Sequence, residues 1–453
     1  ISTGHINWSI CKTGKQTQGG PDKEIMNICM FTNTYLPHVG GVARSVALFT
    51  EDLQALGHPV LVVAPVFPDD LQEERQEDIL RVPAIQNFNG SDFSLRIAVP
   101  FRIANKIEKF QPDIIHSHHP YLLGDAALRT AWRRNLPLVF THHTLYEKYT
   151  HYVPLDSKNM QHFVINLSTE YANLCSRVIA PSRSVAKLIK ERGVTTPIEE
   201  IPTGVDLDFF DQGQGDRFLQ EHGISNSKPV IGHVGRLAPE KNLRYLAEAA
   251  ALFLKDHPGV FLVVGEGPSK KEIFDTFNKM GIEQKVILAG QKIGRELSDA
   301  YSAMDLFLFA SKTETQGMVV AEAMAAGLPV IALDASGIRE VVEDGRNGRL
   351  LHAEASQAEF ARAVKEFISN PERAEQWRQG ALDTAASFGR KETANRLLGL
   401  YTRVSEAYKE ARAGAYELNA WDRLLGGLKA EWALISEKAA ASVVALSTDD
   451  TSS

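Results

Sequence analysis

Short apolar runs alternate with longer amphipathic stretches along most of this chain. The first run is IMNICMF (25–31), followed by a turn carrying Gly40-Gly41 and a helical pattern from about Val42 to Leu56. LVVA (61–64), DIIH (113–116), LVF (138–140) and RVIA (177–180) repeat the apolar theme, with helical segments between them. Strands alternating with helices predict a parallel sheet built from right-handed crossovers. The pattern restarts near residue 229, where PVIGHVG, GVFLVVG, KVILAG, DLFLFA and LPVIAL each lead into a turn and a helix. Between the two sets lies IPTGVDLDFF (201–210), where Pro202, Gly204 and a charged, Gly-rich stretch to Asp216 break the alternation. The expected fold class is α/β: two Rossmann-like doubly wound parallel-sheet domains facing a cleft, plus C-terminal helices. A ligand is expected in that cleft, beyond the carboxyl ends of the strands.

The expected boundaries follow from these patterns. Residues 1–24 are polar and read as a disordered leader. Residues 25–205 form the N-terminal, acceptor-side domain and 206–390 the C-terminal domain. A helix at 391–413 is expected to return towards the N-terminal domain, and 414–453 form a helical or disordered tail. In that tail Trp421, Leu424, Leu425, Leu428, Trp432 and Ile435 recur at helical spacing. They suit a helix packed on its own protein, or one meeting a membrane surface or a partner.

Composition narrows the class. At 453 residues the chain exceeds one ordinary core, which agrees with two domains. Hydrophobic and charged fractions of 44% and 23% are those of a globular protein. A net charge of −7 argues against a general nucleic-acid binder. Cys11, Cys29 and Cys175 are widely spaced, which suits a reducing compartment better than a disulfide scaffold. No apolar run approaches the ~18 residues that cross a bilayer. The polar start lacks an apolar stretch of signal-peptide length. The expected location is cytoplasmic, with a peripheral position on the cytoplasmic face of a membrane as the alternative.

Three stretches carry candidate chemistry. In SKTETQGMVVAEAMAAGLPV, Glu314 and Glu322 frame a polar loop that passes into a helix, where free N–H groups favour an anion. Glu322 can accept hydrogen bonds from sugar hydroxyls while Glu314 reaches the group beyond a phosphate; both also suit solvated surface positions. In GHVGRLAPEKNL, Arg236 and Lys241 occupy the loop after a strand, and a lysine at a helix start opposes the macrodipole. An anion between the two cations accounts for them, as does solvent. VVGEGP (263–268) is another strand end, whose glycines allow close backbone approach. HSHHP adds His116, His118 and His119, which the residues alone do not rank. With His142-His143 they raise a zinc reading, but the spacing matches no common site and no cysteine joins.

Taken in order, GHVGRLAPEKNL, VVGEGP, the Glu314-to-Glu322 stretch and GLPVIALDASGIREVVEDGRNGRLL resemble the donor half of glycosyltransferase family 4, retaining enzymes of the GT-B fold. TYLPHVGGVARSV, DIIHSHHP, APSRSVAKLI and IPTGVDLDFF resemble its N-terminal half. The resemblance covers roughly residues 26 to 410. It implies a hexosyltransferase whose nucleotide-sugar donor lies mostly on the C-terminal domain. Arg236 and Lys241 would hold the diphosphate and Glu322 the ribose. Glu314 would sit beside the hexose, with Gly317, Met318 and Val319 offering backbone N–H groups. The base would stack near Ile293 and Gly265, Gly40 and Gly41 would approach the phosphate, and His118 would stand nearest the reaction. Gln316 departs from the family, which usually has an aromatic there.

No cofactor and no metal are expected. Asp206-Leu207-Asp208 spells the D-x-D of another transferase fold but lies between the domains. KTGKQ near residue 12 lacks the first glycine and the Ser/Thr of a phosphate loop. THHTLYEKYTHYVP (141–154) resembles the acceptor side of members that glucosylate diacylglycerol, which favours UDP-glucose and a membrane lipid. A GDP-mannose donor, a soluble or phospholipid-type acceptor, and a sugar-nucleotide-binding protein without transfer activity remain as alternatives. Arg129, Trp132, Arg133 and Arg134 form a basic helix end that suits anionic lipid or plain solvent.

Overall fold

The computed structural model describes residues 25–38, 40–66, 77–85, 95–96, 100–148 and 158–413. The leader, the KTGKQ segment and the tail from residue 414 lie outside the described residues.

The N-terminal lobe runs β1 (Ile28–Phe31), α1 (Gly41–Ala55), β2 (Val60–Pro65), β3 (Ile79–Val82), β4 (Ala84–Ile85), β5 (Leu95–Arg96), α2 (Pro100–Phe110), β6 (Ile114–Ser117), α3 (Leu123–Arg134), β7 (Leu138–Thr141), α4 (Lys158–Asn173), β8 (Arg177–Ala180), α5 (Arg183–Glu191) and β9 (Ile198–Glu200). Its parallel sheet has the order β3-β2-β1-β6-β7-β8-β9, and β4 and β5 form a separate antiparallel pair. The C-terminal lobe runs α6 (Leu207–Asp211), α7 (Gly215–Glu221), β10 (Val230–Val234), α8 (Leu243–Asp256), β11 (Val260–Val264), α9 (Lys270–Lys279), β12 (Val286–Gly290), α10 (Gly294–Ser302), β13 (Leu306–Phe309), α11 (Met318–Ala325), β14 (Val330–Leu333), β15 (Gly348–Leu351), α12 (Gln357–Ile368) and α13 (Pro371–Ala386). Its sheet has the order β12-β11-β10-β13-β14-β15. The expected pair of doubly wound α/β domains is what the chain forms.

Both faces of each sheet are covered, which is why the central strands read as unbroken apolar runs rather than alternating ones. Cys29 and Phe31 enter one core of the N-terminal lobe while Ile28 and Met30 enter the other. Phe307 and Phe309 likewise face one C-terminal core, Leu306 and Leu308 the opposite one. These are the two sides of a period-two strand.

In each sheet the order reverses beside the first strand: between β1 and β6, and between β10 and β13. At such a reversal the flanking crossovers leave to opposite faces, so a crevice opens beyond the strand ends. The loops that border the two crevices include residues 32–38 and 118–122, and residues 235–242 and 310–317. These four short stretches carry most of the candidate chemistry.

The chain passes between lobes twice, and the two crossings run side by side. Val205 N–H donates to the Phe388 carbonyl at 2.7 Å, and Arg390 N–H donates to that of Val205 at 3.2 Å. A Cβ on Gly204 would fall 2.6 Å from the Arg390 Cα, so only glycine admits this contact. After the second crossing, α14 (Arg390–Ala413) packs Leu397, Leu400, Tyr401 and Val404 into an N-terminal core with Ile28, Val46 and Val62. Arg390 fastens its start, bonding Asp52 at 2.9 Å, Glu51 at 2.8 Å and Asp206 at 3.2 Å. Asp206 also caps α6 by accepting from Phe209 N–H, so the D-x-D aspartate is engaged in structural contacts. Among the described residues no helix is long and apolar enough to cross a membrane.

Candidate active site

The C-terminal crevice is built from two loops held together by polar contacts. After β10 the chain turns through Arg236 and a short 3-10 turn, Pro239–Lys241, before α8 opens at Leu243. Lys241 Nζ donates to Glu314 Oε1 at 2.6 Å, and Asn242 Nδ2 to the Ala310 carbonyl at 3.2 Å. Burial would raise the Glu314 carboxyl, but the Lys241 charge and hydrogen bond, aided by Ser311 and His233, hold it below the ordinary value. Arg236 pairs with the nearly buried Glu240 four residues on.

From the sequence, an anion or solvent accounts for these two cations. In the structure protein carboxylates answer both, so their presence alone does not require a ligand. Glu240 was not singled out from the sequence: the stretch from Arg236 to Ala238 is not helical, so no helix spacing announces the pair.

Gly317 starts α11 with a φ of 74°, a left-handed position that suits glycine. Met318 and Val319 follow in the first turn, where N–H groups have no partner within the helix. Glu322, one turn further, is 2% exposed. Its carboxylate meets Arg44 of α1 at 2.8 Å and accepts from the Tyr301 hydroxyl at 3.0 Å. Burial outweighs both partners and leaves the carboxyl above its ordinary value. Neither Arg44 nor Tyr301 was expected from the sequence; lobe-to-lobe packing brings Arg44 to Glu322, and Tyr301 reaches it from α10 of the same lobe.

Gly265 follows β11 with a φ of 143°, and its N–H donates to the Gly290 carbonyl at 2.8 Å. A Cβ there would lie 1.9 Å from the Gly235 carbonyl oxygen, so the room this glycine makes is taken up by Gly235. Ile293, 67% exposed, precedes α10 beside the same loop. On the facing lobe Gly40 caps α1 in extended conformation and Gly41 begins it. A Cβ on Gly41 would meet no protein atom within 4 Å, so packing does not explain that glycine.

His118 ends up beside β1: its N–H donates to the Phe31 carbonyl at 2.9 Å and its ring lies 4.0 Å from that of His116. His118 Nδ1 and His143 Nε2 share a hydrogen bond of 2.9 Å, while its Nε2 is buried without a partner among the described residues. Burial, reinforced by His116, His143 and His119, keeps His118 well below the ordinary histidine value, so the ring is neutral near pH 7. The competing histidines have other duties. His116 is held between the Tyr401 hydroxyl at 2.6 Å and the Thr141 hydroxyl at 2.7 Å. His119 Nδ1 accepts from Asn33 N–H at 3.0 Å. Among the described residues no group of three or more His, Cys, Asp or Glu side chains is arranged to hold a metal ion.

Three hydrogen bonds from adjoining residues bring the sites together. Thr315 Oγ1 donates to the His143 carbonyl at 2.8 Å, and Gln316 exchanges two hydrogen bonds with Thr203. Glu314, Lys241 and the start of α11 are therefore neighbours of His143 and His118. The basic end of α3 is less free than its sequence suggests: Arg134 pairs with Glu108 at 2.6 Å and Trp132 packs against the N-terminal core.

Comparison with known proteins agrees with this architecture. The model of Glycosyltransferase Family 4 matches residues 39–209, and that of Glycosyl transferases group 1 matches residues 215–383. An alpha-monoglucosyldiacylglycerol synthase of Acholeplasma laidlawii is 31% identical, over 77% of this chain and 89% of its own. A GDP-mannose-dependent alpha-mannosyltransferase of Mycobacterium tuberculosis is 30% identical, again over 77% and 89%. Among solved structures, a sucrose-phosphate synthase from Thermosynechococcus elongatus superposes with a TM-score of 0.69 at 20% identity, covering 84% of this chain and all of that one.

Proposed function

Because the chain belongs to glycosyltransferase family 4 and is a hexosyltransferase of the GT-B fold, we propose that it moves glucose from UDP-glucose to the hydroxyl of a membrane lipid such as diacylglycerol. The transfer retains anomeric configuration and uses no metal. One observation carries the site assignment: a line of hydrogen bonds runs from Lys241 to Glu314, and from the adjoining Thr315 to His143 and His118 across the lobes. The relative named as a monoglucosyldiacylglycerol synthase supports glucose as the sugar and diacylglycerol as the acceptor. The GDP-mannose-dependent relative supports mannose as the second reading.

In this reading the diphosphate takes a share of Arg236 and Lys241. Their carboxylate partners hold both cations in place beforehand, so charge developing on the leaving group meets donors that need not reorganise. The N–H groups at the start of α11 add a second anion-stabilising element. Glu322 spends two of its roughly four acceptor positions on Arg44 and Tyr301, and the others face the ribose hydroxyls. Ile293, with Gly265 behind it, supports the base. Neutral His118 orients the hexose and acceptor through hydrogen bonds, and Gly40 and Gly41 let α1 approach the phosphate. The acceptor hydroxyl attacks from the face the nucleotide leaves, and the departing phosphate oxygen takes its proton. The protein then contributes positioning and charge stabilisation rather than a strong base.

The test is a panel of nucleotide-sugars monitored for nucleoside diphosphate release, with and without diacylglycerol vesicles. Vesicle-stimulated UDP release from UDP-glucose is expected. Release from GDP-mannose alone selects the second reading, and no release from any donor overturns both.

A further inference from the structure

Three consecutive side chains of one loop reach three different parts of the molecule. Glu314 holds Lys241 at 2.6 Å within its own lobe. Thr315 holds the His143 carbonyl at 2.8 Å on the facing lobe, next to His118. Gln316, 5% exposed, takes both backbone groups of Thr203 in the crossing segment: its Oε1 accepts from Thr203 N–H at 2.7 Å and its Nε2 donates to the Thr203 carbonyl at 2.8 Å. Thr203 is itself tied to α1, its hydroxyl lying 2.6 Å from that of Ser45. Ser45 follows Arg44, the residue that pairs with Glu322.

We propose that Gln316 is a positioning residue for the transfer step. Its amide locks the loop carrying Glu314 to the crossing segment, and so fixes the donor side in register with His118. The inference deepens the function proposed above and rests on it for its kinetic test.

The chemistry of the pair is restrictive. Thr203 presents one donor and one acceptor, and a primary amide answers both at once. An aromatic ring at this position fills space but makes neither bond. A carboxylate accepts from the N–H yet faces the carbonyl with a second acceptor and brings an unpaired charge into a buried site. A protonated carboxyl, with one acceptor and one O–H donor, reproduces the amide. Burial favours that protonated form, so Gln316→Glu is a pH-switchable replacement.

The test combines three measurements on the full chain. In Gln316→Leu, acceptor transfer should fall at least about tenfold, while the donor KM and the slow hydrolysis of donor without acceptor stay within about twofold. In Gln316→Glu, transfer relative to wild type should rise about fivefold or more between roughly pH 8 and pH 6; the Leu variant should show no such recovery. Independently of any catalysis, hydrogen exchange at the Thr203 amide should accelerate at least about tenfold in Gln316→Leu, because the amide loses its acceptor. Equal loss of transfer and hydrolysis, a flat pH ratio for the Glu variant, or unchanged Thr203 exchange would each overturn the proposal. Wild-type protein that releases no nucleoside diphosphate from any donor defeats the proposed function instead, and the Thr203 exchange then still decides the role of Gln316.

Discussion

Arg44 of the N-terminal lobe and Glu322 of the C-terminal lobe meet at 2.8 Å, joining the first helix of one domain to the helix that starts at the crevice of the other. Glu322 is 2% exposed, so its charge depends on this partner and on Tyr301. Removing one member of a fully buried pair costs roughly 3–5 kcal/mol. Arg44 is 37% exposed along its side chain, so Arg44→Ala is expected to cost about 2 kcal/mol. Without the opposing charge the Glu322 carboxyl, already raised by burial, rises further. A raised carboxyl stabilises below its unfolded value and loses that contribution as pH climbs through the folded one, so the variant's deficit should grow with pH. Denaturant unfolding of Arg44→Ala, Glu322→Gln and the double variant checks this; strictly additive effects would show that the pair is not coupled.

Arg236→Ala and Lys241→Ala are each expected to lower turnover at least about 100-fold, the loss typical of one oxyanion-type contact. Steady-state rates at saturating donor decide it, and near-normal turnover in both would remove the assigned phosphate role.

Acid should weaken the protein earlier than its carboxylates require. Burial holds His116 and His119 at about 3 and His142 at about 4, against an ordinary value of 6.5. The unfolded chain therefore takes up protons first. The stability these residues contribute is complete above 6.5 and drains away as pH falls from there towards 3 to 4. Each adds a slope of up to about 1.4 kcal/mol per pH unit. Unfolding free energies at several pH values between about 7.5 and 5 should show this decline, and His119→Gln should flatten it.

Tyr401→Phe removes the hydroxyl bonded to His116 Nδ1 and leaves a buried ring nitrogen without its partner. The expected cost is about 1–3 kcal/mol. Turnover should also fall, because the His116 ring is packed 4.0 Å from that of His118. A melting temperature and rate equal to wild type would show that the histidine pair is set by other contacts.

The central strands were legible because both of their faces are buried, giving runs such as DLFLFA and LPVIAL. The strands the sequence did not reveal are β3, β9 and β15, each at the edge of a large sheet, and the two-residue β4 and β5 of the separate pair. Ile198–Glu200 and Gly348–Leu351 carry charged or half-exposed residues because only part of an edge strand is covered. At the site, the loops and their glycines were readable from strand ends and turn chemistry. The partners were not: Arg44 for Glu322, Thr203 for Gln316 and Tyr401 for His116 are separated by 113 to 285 residues or lie on different lobes. No local pattern announces such pairs.

The return of α14 to the first lobe bears on how this protein is made. Leu397, Leu400 and Val404 seal a core begun at Ile28, and Tyr401 grips a histidine 285 positions earlier. On a translating ribosome the opening half emerges with that flank still uncovered and must wait for the intervening domain to follow. That apolar wall arrives only with α14, so assembly of the first lobe draws on residues made after the whole second lobe.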